Sequence, residues 1–194
     1  ALGSCDNVSE YVAPQPYQID WKAVADSSTT AFIQNLWNDS EGFFNAKSTG
    51  YAGETNNYWP QAHAMDVVID AFLRTGDNNY SAMFPKWLEG IKKQCWGGHS
   101  GYRCPLYDDE AWISLTMVRL YQITGDDKYL NVAKDLHADI MKAWKDDNVG
   151  GLPWGSDKAY ENNRATPTNG PACLLGYKLY EATGDVAYAE AGLK

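Results

Sequence analysis

Three segments of the chain align without gaps around the same tripeptide: Thr75-Gly76-Asp77, Thr124-Gly125-Asp126 and Thr183-Gly184-Asp185. Each has a tyrosine three residues after the aspartate, at Tyr80, Tyr129 and Tyr188. Glycine after a helix supplies the left-handed residue that ends it. The aspartate that follows is a good N-cap for the next helix. Each tripeptide therefore predicts the tight corner of a helical hairpin. The arm after the corner is amphipathic. Tyr80, Met83, Phe84, Trp87, Leu88 and Ile91 fall on one helical stripe, and so do Tyr129, Val132, Leu136, Ile140 and Trp144. The arm before the corner is apolar nearly all round: Arg119 is the only charge in 111–121, and Lys178 the only one in 172–180. Such helices are buried on most sides. A further outer-type helix is expected over about 19–37, with Trp21, Val24, Phe32 and Leu36 on one face.

Buried and amphipathic helices alternating in this way predict an all-α chain built as a double-layered α/α toroid. A tetratricopeptide or ankyrin solenoid has a period near 33 or 34 residues, shorter than the spacing here. Three loops rich in Gly, Asn, Trp and Tyr each precede an inner helix: residues 56–60, 95–107 and 148–170. They place polar and aromatic groups at the inner-helix N-termini, on one face of the ring. Lys194 falls within the third outer helix, and a closed six-hairpin toroid needs about twice this many helices. The expectation is an N-terminal tail over 1–16, followed by the N-terminal part of an α/α-toroid catalytic domain over 17–194.

Composition narrows the partners. With 16 Lys+Arg against 25 Asp+Glu, the formal charge is −9, which argues against nucleic acid or anionic lipid as the main partner. No apolar run approaches the length of a transmembrane segment. The aromatic excess is eight Trp and thirteen Tyr against five Phe. Rings with a polar handle suit half-wet surfaces such as those on which sugars stack, and a large aromatic core is the other reading. Leu2-Gly3-Ser4-Cys5 resembles the end of a bacterial lipoprotein signal, which predicts Cys5 as a lipid anchor and an extracellular, periplasmic or cell-surface location. Cys95 and Cys104 bracket a short Gly-rich loop. Their spacing allows a disulfide in an oxidising compartment. A zinc site with His99 would have only three local ligands, so no metal and no cofactor is expected.

Tyr107-Asp108-Asp109-Glu110-Ala111-Trp112 puts three acids at the start of an otherwise apolar inner helix. Acids there can simply cap free N–H groups and satisfy the helix dipole. Charges facing the interior of a ring are costly, however, which favours a functional use. A carboxylate pair is what glycoside hydrolysis requires, one group as nucleophile and the other as acid/base. The magnesium-binding Asp-Asp-x-x-Asp pattern of prenyl-diphosphate chemistry is not met, because Trp112 occupies its fifth position.

That hexapeptide, the later stretch Leu120-Tyr121-Gln122-Ile123-Thr124-Gly125-Asp126, the segment Gly150-Gly151-Leu152-Pro153-Trp154 and the segment Tyr58-Trp59-Pro60-Gln61-Ala62-His63-Ala64 together resemble glycoside hydrolase family 76. The resemblance runs from about residue 17 to the end of the chain. It implies an (α/α)6 barrel, endo-α-1,6-mannanase activity with retention, and a polysaccharide (α-mannan) or manno-oligosaccharide as partner. It also implies Asp108 as nucleophile and Asp109 as general acid/base. Trp59, Trp112 and Trp154 are then sugar platforms or packed rings. Tyr58, Gln61 and Tyr107 stand at the same inner-helix starts as candidate sugar contacts. Asn169 lies in Thr166-Pro167-Thr168-Asn169-Gly170, where the family has a polar helix start facing the sugar, although the wording here departs from its Asn-Ala-rich pattern. His63 reads as a structural histidine. The alternatives are another α/α-toroid sugar enzyme (an epimerase or an unsaturated glucuronyl hydrolase) and a non-catalytic glycan-binding surface lipoprotein. Three histidines are few for an epimerase. Arg103, Lys158 and Arg164 are few bases for an acidic sugar.

Overall fold

The computed structural model describes residues 17–49, 58–95, 99 and 101–193. Cys5 and the rest of the tail over 1–16 lie outside the described residues. In chain order the elements are α1 (Trp21–Leu36), β1 (Trp37–Asn38), β2 (Phe43–Phe44), α2 (Tyr58–Thr75), α3 (Asn78–Ser81) and α4 (Met83–Gly90). A 3-10 turn (Ile91–Lys93) follows, then α5 (Tyr107–Thr124), α6 (Asp127–Lys142), α7 (Thr166–Thr183) and α8 (Val186–Gly192). Among the described residues the only sheet is the two-residue antiparallel ladder of β1 with β2. None of the described helices is long and apolar enough to cross a membrane.

The three corners are built identically. Gly76, Gly125 and Gly184 all have positive φ, and their N–H groups donate to Phe72, Tyr121 and Tyr180. Asp77, Asp126 and Asp185 each cap the next helix by accepting an N–H two residues on. The threonines close the loop: Thr75, Thr124 and Thr183 each donate to the carbonyl four residues back and accept the N–H of the corner aspartate. One short hydroxyl thus satisfies a carbonyl at one helix end and a donor at the next helix start.

The inner helices α2, α5 and α7 lie side by side with α5 in the middle, and each packs on the outer helix that its corner leads to. The outer arms bury one stripe. Met83, Phe84, Trp87 and Leu88 are buried on α4, while Lys86 and Glu89 face solvent. On α6 the buried stripe is Tyr129, Leu130, Ala133, Leu136 and Ile140. Arg119, the one basic residue of α5, reaches across to Asp66 and Asp70 of α2.

The structure departs from the sequence reading in three places. The arm over 172–180, expected to be buried on most sides, buries one face of α7 through Ala172, Leu175 and Leu179 and leaves Cys173, Leu174, Tyr177 and Tyr180 exposed. The arm expected to be one helix over 80–91 is broken at Ala82 into α3 and α4. Pro85 explains the break, because it has no N–H for the Ser81 carbonyl and its ring crowds that carbonyl. On α1 the expected apolar face is only half used. Phe32 and Leu36 pack against the core, but Trp21 is 69% exposed and Val24 is exposed as well.

Candidate active site

The site is assembled where α2 and α5 begin. Three pieces of chain meet there: the start of α2, a strap over residues 101–106, and the loop leading to α7. The strap is tied down along its length. The Tyr102 carbonyl accepts the Tyr58 hydroxyl. Arg103 pairs with Asp135 and Asp139 of α6. Cys104 is bonded to Cys95 as a disulfide. The Pro105 carbonyl accepts the Ser156 N–H at 2.9 Å, and Leu106 bridges Gly155 in antiparallel fashion. Gly155 has to be glycine, since a Cβ there would meet the Pro105 oxygen at 2.5 Å. Tyr107 continues the pairing by donating its N–H to the Trp154 carbonyl at 2.9 Å.

This clamp fixes the first turn of α5, whose N-cap residue, Leu106, has no capping side chain. Asp108 is half-buried and accepts a hydrogen bond on each oxygen. The Asp109 N–H donates to Oδ1 at 3.0 Å, and the Trp154 indole N–H donates to Oδ2 at 3.0 Å. Those two donors, set at an angle to each other, fix the direction of the carboxylate. Asp109 is only 5% exposed and Glu110 is wholly buried. Burial, reinforced by the neighbouring Asp108 charge, pushes the Asp109 carboxyl up to about 7. Burial pushes Glu110 up to about 8, against the opposing Cys104 N–H. The two aspartates are thus adjacent in sequence but unlike in surroundings. That separation of environments is how a pair of carboxyls is divided between two roles.

The other predicted residues divide into two groups. Trp154 reaches Asp108 directly, and Tyr107 is half-buried in the strap connection. Trp59 is 50% exposed and begins an aromatic run along the inner face. Its ring lies 5.6 Å from that of His63, which lies 5.0 Å from Trp112. These side chains are placed where a ligand can meet them. Tyr58, Gln61 and Asn169 are occupied elsewhere. Tyr58 is buried and spends its hydroxyl on the strap. Gln61 is wholly buried, and its amide pairs with the Phe44 backbone, accepting at 2.9 Å and donating at 2.7 Å. Asn169 does the same for Leu152, accepting its N–H at 2.8 Å and donating to its carbonyl at 3.0 Å, with a second donation to Ala165. These three hold loops in place rather than offering free polar groups to a sugar. Their place at inner-helix starts suggests sugar contacts, and position alone does not reveal that a backbone segment has taken the hydroxyl or the amide.

Glu110 is the residue that sequence reasoning left without a role, although it stands in the same acidic triplet. The signal that could have found it is its place on the wall side of the helix, next in line to a cysteine-bearing loop. Among the described residues no group of His, Cys, Asp and Glu is arranged to hold a metal.

Adjacent, unlike carboxyls at an inner-helix start, one of them held by the half-buried Trp154, place the chain in the class of α/α-toroid carbohydrate-active proteins. Within that class it belongs to glycosyl hydrolase family 76, which it matches over residues 20–194. Among solved structures it resembles the GH76A α-1,6-mannanase of Salegentibacter sp. HEL1_6, with 31% identity, a TM-score of 0.80, and coverage of 90% of this chain and 49% of that one. An inactive variant of that enzyme, with two consecutive aspartates replaced by alanine, is held in complex with α-1,6-mannotetrose and matches with 30% identity and a TM-score of 0.78 over 90% and 50% of the two chains. The Lin0763 protein of Listeria innocua matches with 27% identity and a TM-score of 0.75, covering 90% of this chain and 51% of that one. The chain therefore spans about half the length of these relatives. No curated protein matches it.

Proposed function

We propose that the chain carries the catalytic pair of a retaining glycoside hydrolase that cleaves α-1,6-mannosidic linkages in mannan. The observation that carries the reading is the division of the adjacent aspartates: one oriented by two N–H donors, the other buried and pushed up to about 7. Asp108 attacks the anomeric carbon and the glycosidic bond breaks, giving a covalent mannosyl-enzyme. Asp109 gives its proton to the departing oxygen. It then takes a proton from the water that cleaves the mannosyl-enzyme, so both groups return to their starting states and configuration is retained. A carboxyl near 7 suits both halves of that exchange at neutral pH. The Salegentibacter mannanase, inactive when two consecutive aspartates are replaced and seen with an α-1,6-linked tetrose, supports both the substrate class and the pair. The disulfide supports a location outside the cytoplasm, in keeping with a polysaccharide substrate and with a lipid anchor at Cys5.

The test is hydrolysis of α-1,6-linked mannan by the protein, with the first-formed anomer read by NMR. Asp108→Asn should abolish turnover in a folded protein. Asp109→Asn should spare aryl mannosides with good leaving groups more than mannan, because only poor leaving groups need strong acid assistance. An inverted first product, or full activity in Asp108→Asn, overturns the mechanism.

A further inference from the structure

Glu110 is the buried acid that this mechanism does not use. Its Oε1 accepts the Cys104 N–H at 2.7 Å, and its Oε2 has no hydrogen-bond partner among the described residues. Cys104 is the crossing point of the strap. Its sulfur is bonded to Cys95, at the end of the preceding outer arm, and lies 3.9 Å from Asp109 Oδ2. The groups that surround the acids come from every neighbouring element: Tyr58 from α2, Arg103 from the strap, Asp135 and Asp139 from α6, and Asp108 and Tyr107 from α5 itself. Carboxylates and phenols outnumber the one guanidinium, so a neutral Glu110 fits this enclosure and an ionised one does not.

We propose that Glu110 is a positioning residue for Asp109, acting through Cys104: its carboxyl holds the Cys104 N–H, which seats the half-cystine against the Asp109 carboxyl and closes that carboxyl off from water. The proposal rests on the reading of Asp109 as the acid/base. Glu110 touches no reacting atom. Its contribution is to the surroundings that set when Asp109 carries its proton, since a disulfide sulfur offers almost no solvation to an anion. What the seat requires of residue 110 is an acceptor and no charge. Glutamine satisfies both requirements and alanine satisfies neither.

The experiment is a titration of the Asp109 carboxyl by carbon-13 NMR in unliganded wild-type protein, Glu110→Gln and Glu110→Ala, alongside the pH dependence of kcat/KM. Glu110→Gln is expected to titrate with the wild type. Glu110→Ala is expected to titrate lower by about one pH unit or more, as water reaches Asp109. Its losses should be larger on mannan than on activated aryl mannosides. If Glu110→Ala does not fold, phosphine reduction of the Cys95–Cys104 bond in folded wild-type protein should move the Asp109 titration in the same direction. An unchanged Asp109 titration in Glu110→Ala, or in the reduced protein, overturns the proposal. So does a shift in Glu110→Gln as large as that in Glu110→Ala. Because the titration is read without substrate, its result stands whatever the protein proves to hydrolyse.

Discussion

The indole N–H of Trp154 donates to Asp108 Oδ2 at 3.0 Å, joining the Gly-rich loop to the first turn of α5. The bond makes the tryptophan an arm that aims the Asp108 carboxylate, the proposed nucleophile, whatever else its ring does. Trp154→Phe keeps an aromatic ring and removes only the donor. A single hydrogen bond to a charged group contributes about 1.5–3 kcal/mol, which corresponds to roughly 10- to 150-fold in rate. The expected outcome is a fall of that order in kcat with little change in KM. A change confined to KM would make the ring a sugar platform and leave the aiming of Asp108 to the Asp109 N–H.

The rate profile should follow the Asp109 proton. In the proposed mechanism, formation of the mannosyl-enzyme needs Asp109 protonated, so kcat/KM should fall as pH rises through about 7. In Asp109→Asn that alkaline limb should vanish from the residual activity on aryl mannosides. The measurement is kcat/KM across pH 5–9 with each substrate type. A limb near pH 4, the range of an ordinary solvated carboxyl, would mean that water enters the site as the substrate binds.

Stability should carry a pH signature of opposite sense to the usual acid denaturation. Asp109 and Glu110 are both raised in the folded state, to about 7 and about 8, above the ordinary values near 4 of an unfolded chain. Between those limits the folded protein binds more protons than the unfolded one. The stability associated with the two groups is therefore complete below about pH 4 and is lost as pH rises through 7 to 8. Glu110→Gln removes one of the two titrations while keeping the acceptor for Cys104. Its Tm relative to wild type should climb steadily from pH 5 to pH 8.5, by several degrees, given roughly 2–4 °C per kcal/mol for a chain of this size. A constant difference across that range would show that Glu110 ionises without penalty.

What the sequence made legible, and what it did not, follows from the range of the interactions involved. The corners at Gly76, Gly125 and Gly184 are local: a helix end, a left-handed residue and a cap lie within three positions, so the tripeptide is enough to read them. The alternation of apolar and amphipathic arms is a periodicity, and it carries over into inner and outer layers. The break at Ala82 is also local, and Pro85 could have announced it had the apolar stripe not run straight through. Asp109 shows the limit. Its neighbour Asp108 is visible in the sequence as a like charge, yet the larger cause of its raised value is burial beneath the strap. That burial goes with the Cys104 half-cystine lying 3.9 Å from the Asp109 carboxyl, which no spacing reveals. Tyr58, Gln61 and Asn169 show the same limit from the other side, because each is committed to a backbone group at least 17 positions away.

Asn169 gives the sharpest contrast between the two kinds of reading. Its amide meets both the N–H and the carbonyl of Leu152, a buried residue two positions before Trp154. Removing the amide in Asn169→Ala strips partners from two backbone groups, at a cost of about 1–3 kcal/mol for each group left unpaired. The loop should loosen, and with it the hold of Trp154 on Asp108. The expected outcome is a lower Tm and a lower kcat. Asn169→Asp should be worse: it keeps the acceptor for the Leu152 N–H but sets a carboxylate oxygen against the Leu152 and Ala165 carbonyls. A residue that touched the sugar directly would behave differently, raising KM while leaving thermal unfolding unchanged. Calorimetry and Michaelis kinetics on the two variants separate these outcomes, and a raised KM at constant Tm would return Asn169 to the sugar-binding set.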